Sequence, residues 1–292
     1  MKILLNNPDP ITINSVCALG NFDGVHIAHQ EIIKRVKDLA GDSRKTGIIT
    51  FHPPPVSILH KDAIFFLTTK KEKERILRKT GIDFIYYFKF DEEFSKKSPE
   101  EFIELIRKFI NPSTIIIGEN FHFGKERMGT AKSFKELARG KFTVEILPKI
   151  KDAEGPISST RIRELLILGN IPKANTLLGR NYSIIGKVVR GKGKGRTIGF
   201  PTINLKVDKE KLLPLDGVYE VNLDIERDTY KGAMFLSHNN IEVHILNFSD
   251  DLYGRNVEIR LIRRIREIKK FVDDESLRKA IAEDIKRINQ ET

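Results

Sequence analysis

The sequence predicts two domains: a doubly wound α/β domain on a parallel sheet, then a six-stranded antiparallel β-barrel with a C-terminal helix. Three observations predict this. The chain has 292 residues, room for two ordinary domains. Apolar runs of strand length alternate with amphipathic stretches through the first half, and beyond residue 180 the apolar period switches to two.

In the first domain, strands are expected at Val16–Leu19, Gly47–Phe51, Phe84–Phe90, Ser113–Gly118 and Phe142–Pro148. Between them, helices are expected at Glu31–Ala40, Lys70–Lys79, Pro99–Ile110 and Phe134–Arg139. Ser98-Pro99-Glu100-Glu101 is a helix start, with Ser as N-cap, Pro in the first turn and Glu able to reach back. Such alternation builds a parallel sheet covered by helices, whose ligands bind at the carboxyl ends of the strands. A helical stretch runs from Thr160 to Leu178, interrupted by Gly169-Asn170-Ile171-Pro172. Six strands follow at Tyr182–Val189, Thr202–Val207, Gly217–Ile225, Tyr230–Ser237, Ile241–Phe248 and Asn256–Ile265. Leu277, Ala280, Ile281, Ile285 and Ile288 form the apolar stripe of the final helix. The domain boundary is expected between Pro156 and Arg180.

Composition narrows the function classes. An apolar fraction of 40% and a charged fraction of 31% describe a soluble globular chain. No apolar run approaches the ~20 residues of a membrane span. Met1–Leu5 is too short an apolar stretch before Asn6-Asn7-Pro8 to read as a signal peptide. Cys17 is the single cysteine, so a reducing cytoplasm without intrachain disulfides is expected. The net charge of +11 favours anionic partners, either nucleic acid or phosphorylated small molecules.

The segment Gly20-Asn21-Phe22-Asp23-Gly24-Val25-His26-Ile27-Ala28-His29 reads as strand end, Gly-bearing turn and helix start. That arrangement aims backbone N–H groups and a helix N-terminus at a phosphate. His26 and His29 stand three apart, so both lie on one helix face, where two imidazoles can neutralise charge on a transferring phosphoryl group. Taken alone, the pair also fits half a zinc site or two surface histidines, but no Cys/His partner pair follows at ligand spacing. Ile157-Ser158-Ser159-Thr160-Arg161-Ile162-Arg163 opens a helix with three hydroxyls and two guanidiniums. It suits phosphate, or simply an N-cap. The run Arg190-Gly191-Lys192-Gly193-Lys194-Gly195-Arg196 suits a polyphosphate or a nucleic-acid backbone. No aromatic residue interleaves with it, as base stacking requires. Gly199-Phe200-Pro201-Thr202-Ile203-Asn204 then places a Thr and an Asn two apart on a strand, both hard oxygen ligands suited to Mg²⁺ carrying ATP.

With these segments the chain resembles the HxGH nucleotidyltransferase superfamily. More narrowly, it resembles the prokaryotic bifunctional riboflavin kinase/FMN adenylyltransferases (FAD synthetases). Further matches are Thr50-Phe51-His52-Pro53-Pro54-Pro55, Gly118-Glu119-Asn120-Phe121-His122-Phe123-Gly124 and Ile241-Glu242-Val243-His244-Ile245-Leu246-Asn247-Phe248 with Asp251-Leu252-Tyr253-Gly254. The resemblance covers nearly the whole chain, with two signatures per domain in the family's order. It implies a Rossmann-like nucleotidyltransferase domain over residues 1–178 and a riboflavin kinase barrel over 179–292.

The resemblance also implies roles. The barrel would phosphorylate riboflavin to FMN with ATP, Thr202 and Asn204 binding Mg²⁺ and Glu242 serving as base. Gly191, Gly195 and Gly199 would line the nucleotide there. The first domain would adenylylate FMN to FAD with release of pyrophosphate, His26, His29 and Arg161 being catalytic. Gly20, Phe22, Asp23, Gly24, Ser159, Thr160 and Arg163 would hold that nucleotide, and Asn120, Phe121 and Phe123 the flavin. Four departures stand out: Ala28 replaces a glycine, Pro54 a histidine and Asn247 an aspartate, and Met234–Asn240 is short. Expected partners are nucleotides and flavins, with neither nucleic acid nor membrane. The two rivals are an enzyme retaining one activity only, supported by Ala28, Pro54 and the short Met234–Asn240 stretch, and a nucleic-acid-binding module built on the basic barrel.

Overall fold

The computed structural model describes residues 1–6, 14–59, 65–191 and 194–290. The chain packs as two compact units, one of residues 1–64 with 70–158 and one of residues 65–69 with 159–292.

The first unit is built on a six-stranded, all-parallel sheet. Its order is Lys2–Leu5, Phe84–Lys89, Lys45–His52, Ser15–Leu19, Thr114–Gly118, Thr143–Leu147. Five of these fall on the expected apolar runs; the edge strand Lys2–Leu5 is an addition. Side chains alternate between two cores, as period two requires. Cys17, Leu19, Phe51, Phe88 and Ile117 meet Phe102, Ile106 and Phe134 on one face. Val16, Ala18, Ile48, Tyr87 and Ile116 meet Ile33, Val36 and Leu77 on the other.

Helix starts follow their caps. The helix Pro99–Phe109 carries the expected capping box: Glu101 N–H donates to Ser98 Oγ at 3.2 Å, and Ser98 N–H to Glu101 Oε2 at 2.6 Å. Two helices begin earlier than their apolar stripes suggest. One runs Ile27–Ala40 with His26 at its N-cap. The other runs Ala131–Leu137 because Thr130 and Ser133 cap each other.

Strand order reverses between Ser15–Leu19 and Thr114–Gly118. From Ser15–Leu19 the chain adds strands in one direction, then returns to pair Thr114–Gly118 on its other side. The loops leaving these two strands therefore diverge at the carboxyl edge of the sheet, the usual ligand crevice of such folds.

In the second unit, helices Ser159–Ile167 and Ile171–Leu178 precede a closed barrel. The break between them has Asn170 as N-cap and Pro172 in the first turn. The barrel order is Ser183–Val189, Ile203–Val207, Asn240–Ile245, Asp228–Ser237, Gly217–Ile225, Asn256–Arg266, every pair antiparallel. The strand expected at Ile241–Phe248 stops at Ile245, since Asn247 turns into the left-handed region at φ 55°. The short Met234–Asn240 stretch closes with a two-residue hairpin at His238 and Asn239, φ 48° and 65°. The helix Asp274–Gln290 completes the unit, and Arg266 grips its buried Asp284 at 2.8 Å.

Residues 65–69 lie far from the barrel in sequence yet pack with it. Phe66 N–H donates to Glu210 O and Leu212 N–H to Phe66 O, both at 2.8 Å. Buried Lys211 reaches Leu67 O with Nζ at 2.7 Å, while its ammonium lies 4.3 Å from the Tyr182 ring centre. The packing boundary thus falls between 158 and 159, so helices Ser159–Ile167 and Ile171–Leu178 go with the barrel. Among the described residues, no helix is long and apolar enough to cross a membrane.

Two outcomes follow. Cys17 is fully buried, which pushes its thiol up to about 12. A thiol reagent should therefore find no reactive cysteine in the native chain at neutral pH, and one after unfolding. Lys211→Met leaves the Leu67 carbonyl without its buried donor. It should destabilise the second unit by about 1–3 kcal/mol, read from its denaturant midpoint.

Candidate active sites

The histidine loop follows the strand Ser15–Leu19, at the point where strand order reverses. Phe22 and Val25 are buried, and both adopt left-handed backbone at φ 52° and 40°, with Gly24 between at 79°. Left-handed conformations at bulky residues are costly and persist where surroundings over-determine them. Here the determinants are visible. Phe22 and Val25 sit in the core, Gly20 N–H donates to Ile49 O at 3.1 Å, and Gln30 Nε2 donates to Val25 O at 2.9 Å. The Asn21 carbonyl accepts from Lys73 Nζ at 3.0 Å and from Thr50 Oγ1 at 3.4 Å. A Cβ on Gly20 would crowd the Phe22 ring at 3.3 Å.

His26 and His29 stack on each other, ring centres 3.7 Å apart and planes 15° from parallel, and Phe22 lies 5.0 Å from His29. The pair thus stands at the start of a 14-residue helix, His26 at its N-cap and His29 in its first turn, at the positive end of the helix dipole. Ala28 lies between them in that turn.

Two other loops leave the same sheet edge. One follows Lys45–His52 and carries a cis His52–Pro53 bond and Pro54. The other follows Thr114–Gly118 and carries exposed Asn120 and half-buried Phe121. Phe123 does not line that loop's surface. It is 5% exposed and packs at 5.0 Å from Phe134 and 5.8 Å from Phe102. Phe121 stacks on it at 5.7 Å, leaving Phe121 as the ring with an open side.

Ser159, Thr160, Arg161 and Arg163 open the helix Ser159–Ile167, which belongs to the second unit. Arg163 Nε donates to Phe65 O at 3.3 Å, tying this helix to residues 65–69. Thr160 is exposed, and Ser159 and Arg161 are half-buried.

In the barrel, Asn204 sits directly across the ladder from Glu242. Thr202 Oγ1 donates to Glu242 Oε2 at 3.3 Å, and Asn240 Nδ2 to Glu242 Oε1 at 3.1 Å. Thr202, just before its strand, thus meets Asn204 and Glu242 on facing strand positions, bringing together hydroxyl, amide and carboxylate oxygens. That donor set fits a hard divalent cation. Among the described residues there is no cluster of three or more His, Cys, Asp or Glu, so any cation here would rest on such mixed ligands.

The glycines make room for this group. A Cβ on Gly191 would clash with Asn204 Nδ2, and one on Gly195 with the Phe200 carbonyl. Gly199 takes φ 88°, and Phe200 N–H returns to Gly195 O at 2.8 Å around a short helix, Lys194–Thr197. Lys192, Gly193 and the Lys194 side chain lie outside the described residues.

Three contributors were missed in the sequence. His244 Nδ1 donates to Pro201 O at 2.8 Å and its ring meets Phe200 edge-on, fixing the peptide before Thr202. Its signal was present, since His244 follows Glu242 by two on a strand. Asn240, also two from Glu242, had the same signal. Lys73 had none, because its contact with Asn21 spans 52 positions of sequence.

Comparison with known proteins agrees with the two-part organisation of the chain. A family model for FAD synthetase matches residues 9–161, and one for riboflavin kinase matches residues 178–292. A bifunctional riboflavin kinase/FMN adenylyltransferase from Listeria monocytogenes is 35% identical over 277 residues, covering 91% of this chain and 88% of the relative. The protein of the same description from Bacillus subtilis is 33% identical, covering 92% and 90%. A solved structure of a macrolide-efflux protein from Streptococcus pneumoniae is 29% identical, covers 100% of both chains and superposes with a TM-score of 0.90. By matched models, shared length and conserved architecture, the chain belongs to the bifunctional riboflavin kinase/FMN adenylyltransferases, with a FAD synthetase part followed by a riboflavin kinase part.

Proposed function

We propose that the family's two reactions run at two separate constellations of this chain: FMN adenylylation at the histidine loop and riboflavin phosphorylation at Thr202, Asn204 and Glu242. The observation that carries the reading is the stacked His26–His29 pair in the first turn of a helix at the reversal of strand order. In this reading a phosphate oxygen of FMN attacks the α-phosphorus of ATP and pyrophosphate leaves. His26 and His29 neutralise charge on the transferring group, while the loop at Gly20, Phe22, Asp23 and Gly24 cradles phosphate. On motif grounds Ser159, Thr160 and Arg163 hold the triphosphate and Arg161 stabilises the departing pyrophosphate, so the catalytic division remains 1–178 and 179–292 even though this helix packs with the barrel. Asn120 and Phe121 contact the flavin; Phe123 supports Phe121 from the core.

In the barrel the riboflavin 5′-hydroxyl attacks the γ-phosphorus of ATP, its proton passes to Glu242, and ADP leaves. Thr202 and Asn204 supply oxygens for Mg²⁺, which offsets phosphate charge when bound. Gly191, Gly195 and Gly199 let backbone approach the nucleotide. Its ligands are nucleotides and flavins, and its compartment is the cytoplasm, in keeping with one buried, unreactive thiol.

Time courses with riboflavin, ATP and Mg²⁺ test the order: FMN should accumulate before FAD, and chelation of the metal should stop the first step. His29→Ala should slow FMN adenylylation about 10²-fold or more while leaving riboflavin phosphorylation within twofold. Glu242→Gln should do the reverse, by about 10²–10⁴-fold. Parallel losses in both variants would sink the two-site assignment. Gly191→Ala displaces Asn204, so it should depress only the kinase reaction, seen as a raised KM for Mg²⁺-ATP.

A further inference from the structure

A buried lysine stands behind the histidine loop, and the reactions above leave it without a role. Lys73, in the helix Lys70–Lys79, is 6% exposed, and its Nζ donates to the Asn21 carbonyl at 3.0 Å. An ammonium is costly to remove from water, and an apolar side chain of similar length would fill the same volume without that cost. Its use is indicated by where its hydrogen bond lands. Asn21 precedes Phe22, and the rigid peptide plane between them turns as one body. A fixed Asn21 carbonyl therefore fixes the orientation at which the chain enters its left-handed passage through Phe22, Gly24 and Val25. That passage delivers His26 to the helix N-cap and His29 to its first turn.

The surroundings concentrate charge on this point. Asp23 lies on the loop, Lys70 and Glu74 on the lysine's own helix, and Tyr87 on the strand Phe84–Lys89, its ring centre 5.7 Å from Nζ. His52 packs against the same tyrosine. Burial lowers the Lys73 ammonium to about 8, against the pull of Asp23 and Glu74 that favours the charged form and with a further push from Lys70. The group is thus charged at neutral pH and loses its proton within the mildly alkaline range.

We propose that Lys73 is a positioning residue for adenylyl transfer: from behind the loop its ammonium holds the Asn21 carbonyl, sets the path that places His26 and His29, and backs a phosphate-binding loop with positive charge. The inference rests on reading the histidine loop as the adenylyl-transfer site.

The test compares Lys73→Met, Lys73→Arg and His29→Ala in the full chain, assaying FMN adenylylation and riboflavin phosphorylation separately across pH. Lys73→Met should lower kcat for adenylylation about 10–100-fold and leave riboflavin phosphorylation within twofold. In the parent chain adenylylation should decline as pH rises through about 8. Lys73→Arg, whose guanidinium keeps its charge, should recover most of the loss and abolish that decline. Wild-type adenylylation by Lys73→Met beside an inactive His29→Ala would overturn the inference alone. So would an alkaline decline unchanged in Lys73→Arg, which decides the matter even if Lys73→Met fails to fold. Full adenylylation by His29→Ala would instead overturn the reading of the loop, and this inference with it.

Discussion

Phe22 and Val25 are large apolar residues held in a backbone region that large residues avoid, and burial is what holds them there. Their side chains belong to the same core as Val16, Ala18, Ile33 and Val36, so the loop is pinned to both the strand before it and the helix after it. Relaxing either residue to an ordinary conformation would withdraw apolar surface from that core, at roughly 1.5–3 kcal/mol for a fully buried side chain. This exchange of backbone strain for burial lets a loop be rigid without secondary structure. The stacked imidazoles at the start of that helix inherit its rigidity.

The barrel reaches the same end by a different route. Thr202, Asn204 and Glu242 lie on or beside strands whose register is locked by ladder bonds, so Asn204 and Glu242 face each other through topology. Only Thr202 precedes its strand, and there His244 supplies a fixed bond to Pro201. Basic residues elsewhere on the barrel are tied down as well. Arg260 forks onto Asp224 and Arg266 onto Asp284, while Arg263 bonds Glu220 through Nε, so part of the chain's positive charge is spent on architecture.

Much of this was legible in the residues themselves. The two cores follow from period-two alternation, the helix at Pro99 from Ser98 and Glu101, and the nearness of Thr202, Asn204 and Glu242 from their places on and beside strands. The histidine pair was legible as a spacing, since three residues bring side chains onto one helical face. What escaped depends on partners distant in sequence or on conformations that composition does not signal. The left-handed Phe22 and Val25 are not glycines, and the bond from Lys73 to Asn21 is purely tertiary. Phe123 looked like a ligand wall beside Phe121, yet the neighbouring helices Pro99–Phe109 and Ala131–Leu137 claim it for the core.

Residues 65–69 give the architecture a genealogical consequence. Phe66 and Leu67 are 5% and 0% exposed within a unit whose other residues begin at Ser159, so that unit is not a contiguous stretch of gene. A cassette that began at the first barrel strand would carry no counterpart for them, and its new host would have to cover the exposed seam or lose it by drift. Separating the kinase part at its first barrel strand would therefore uncover apolar surface that Phe66 and Leu67 shield in this chain.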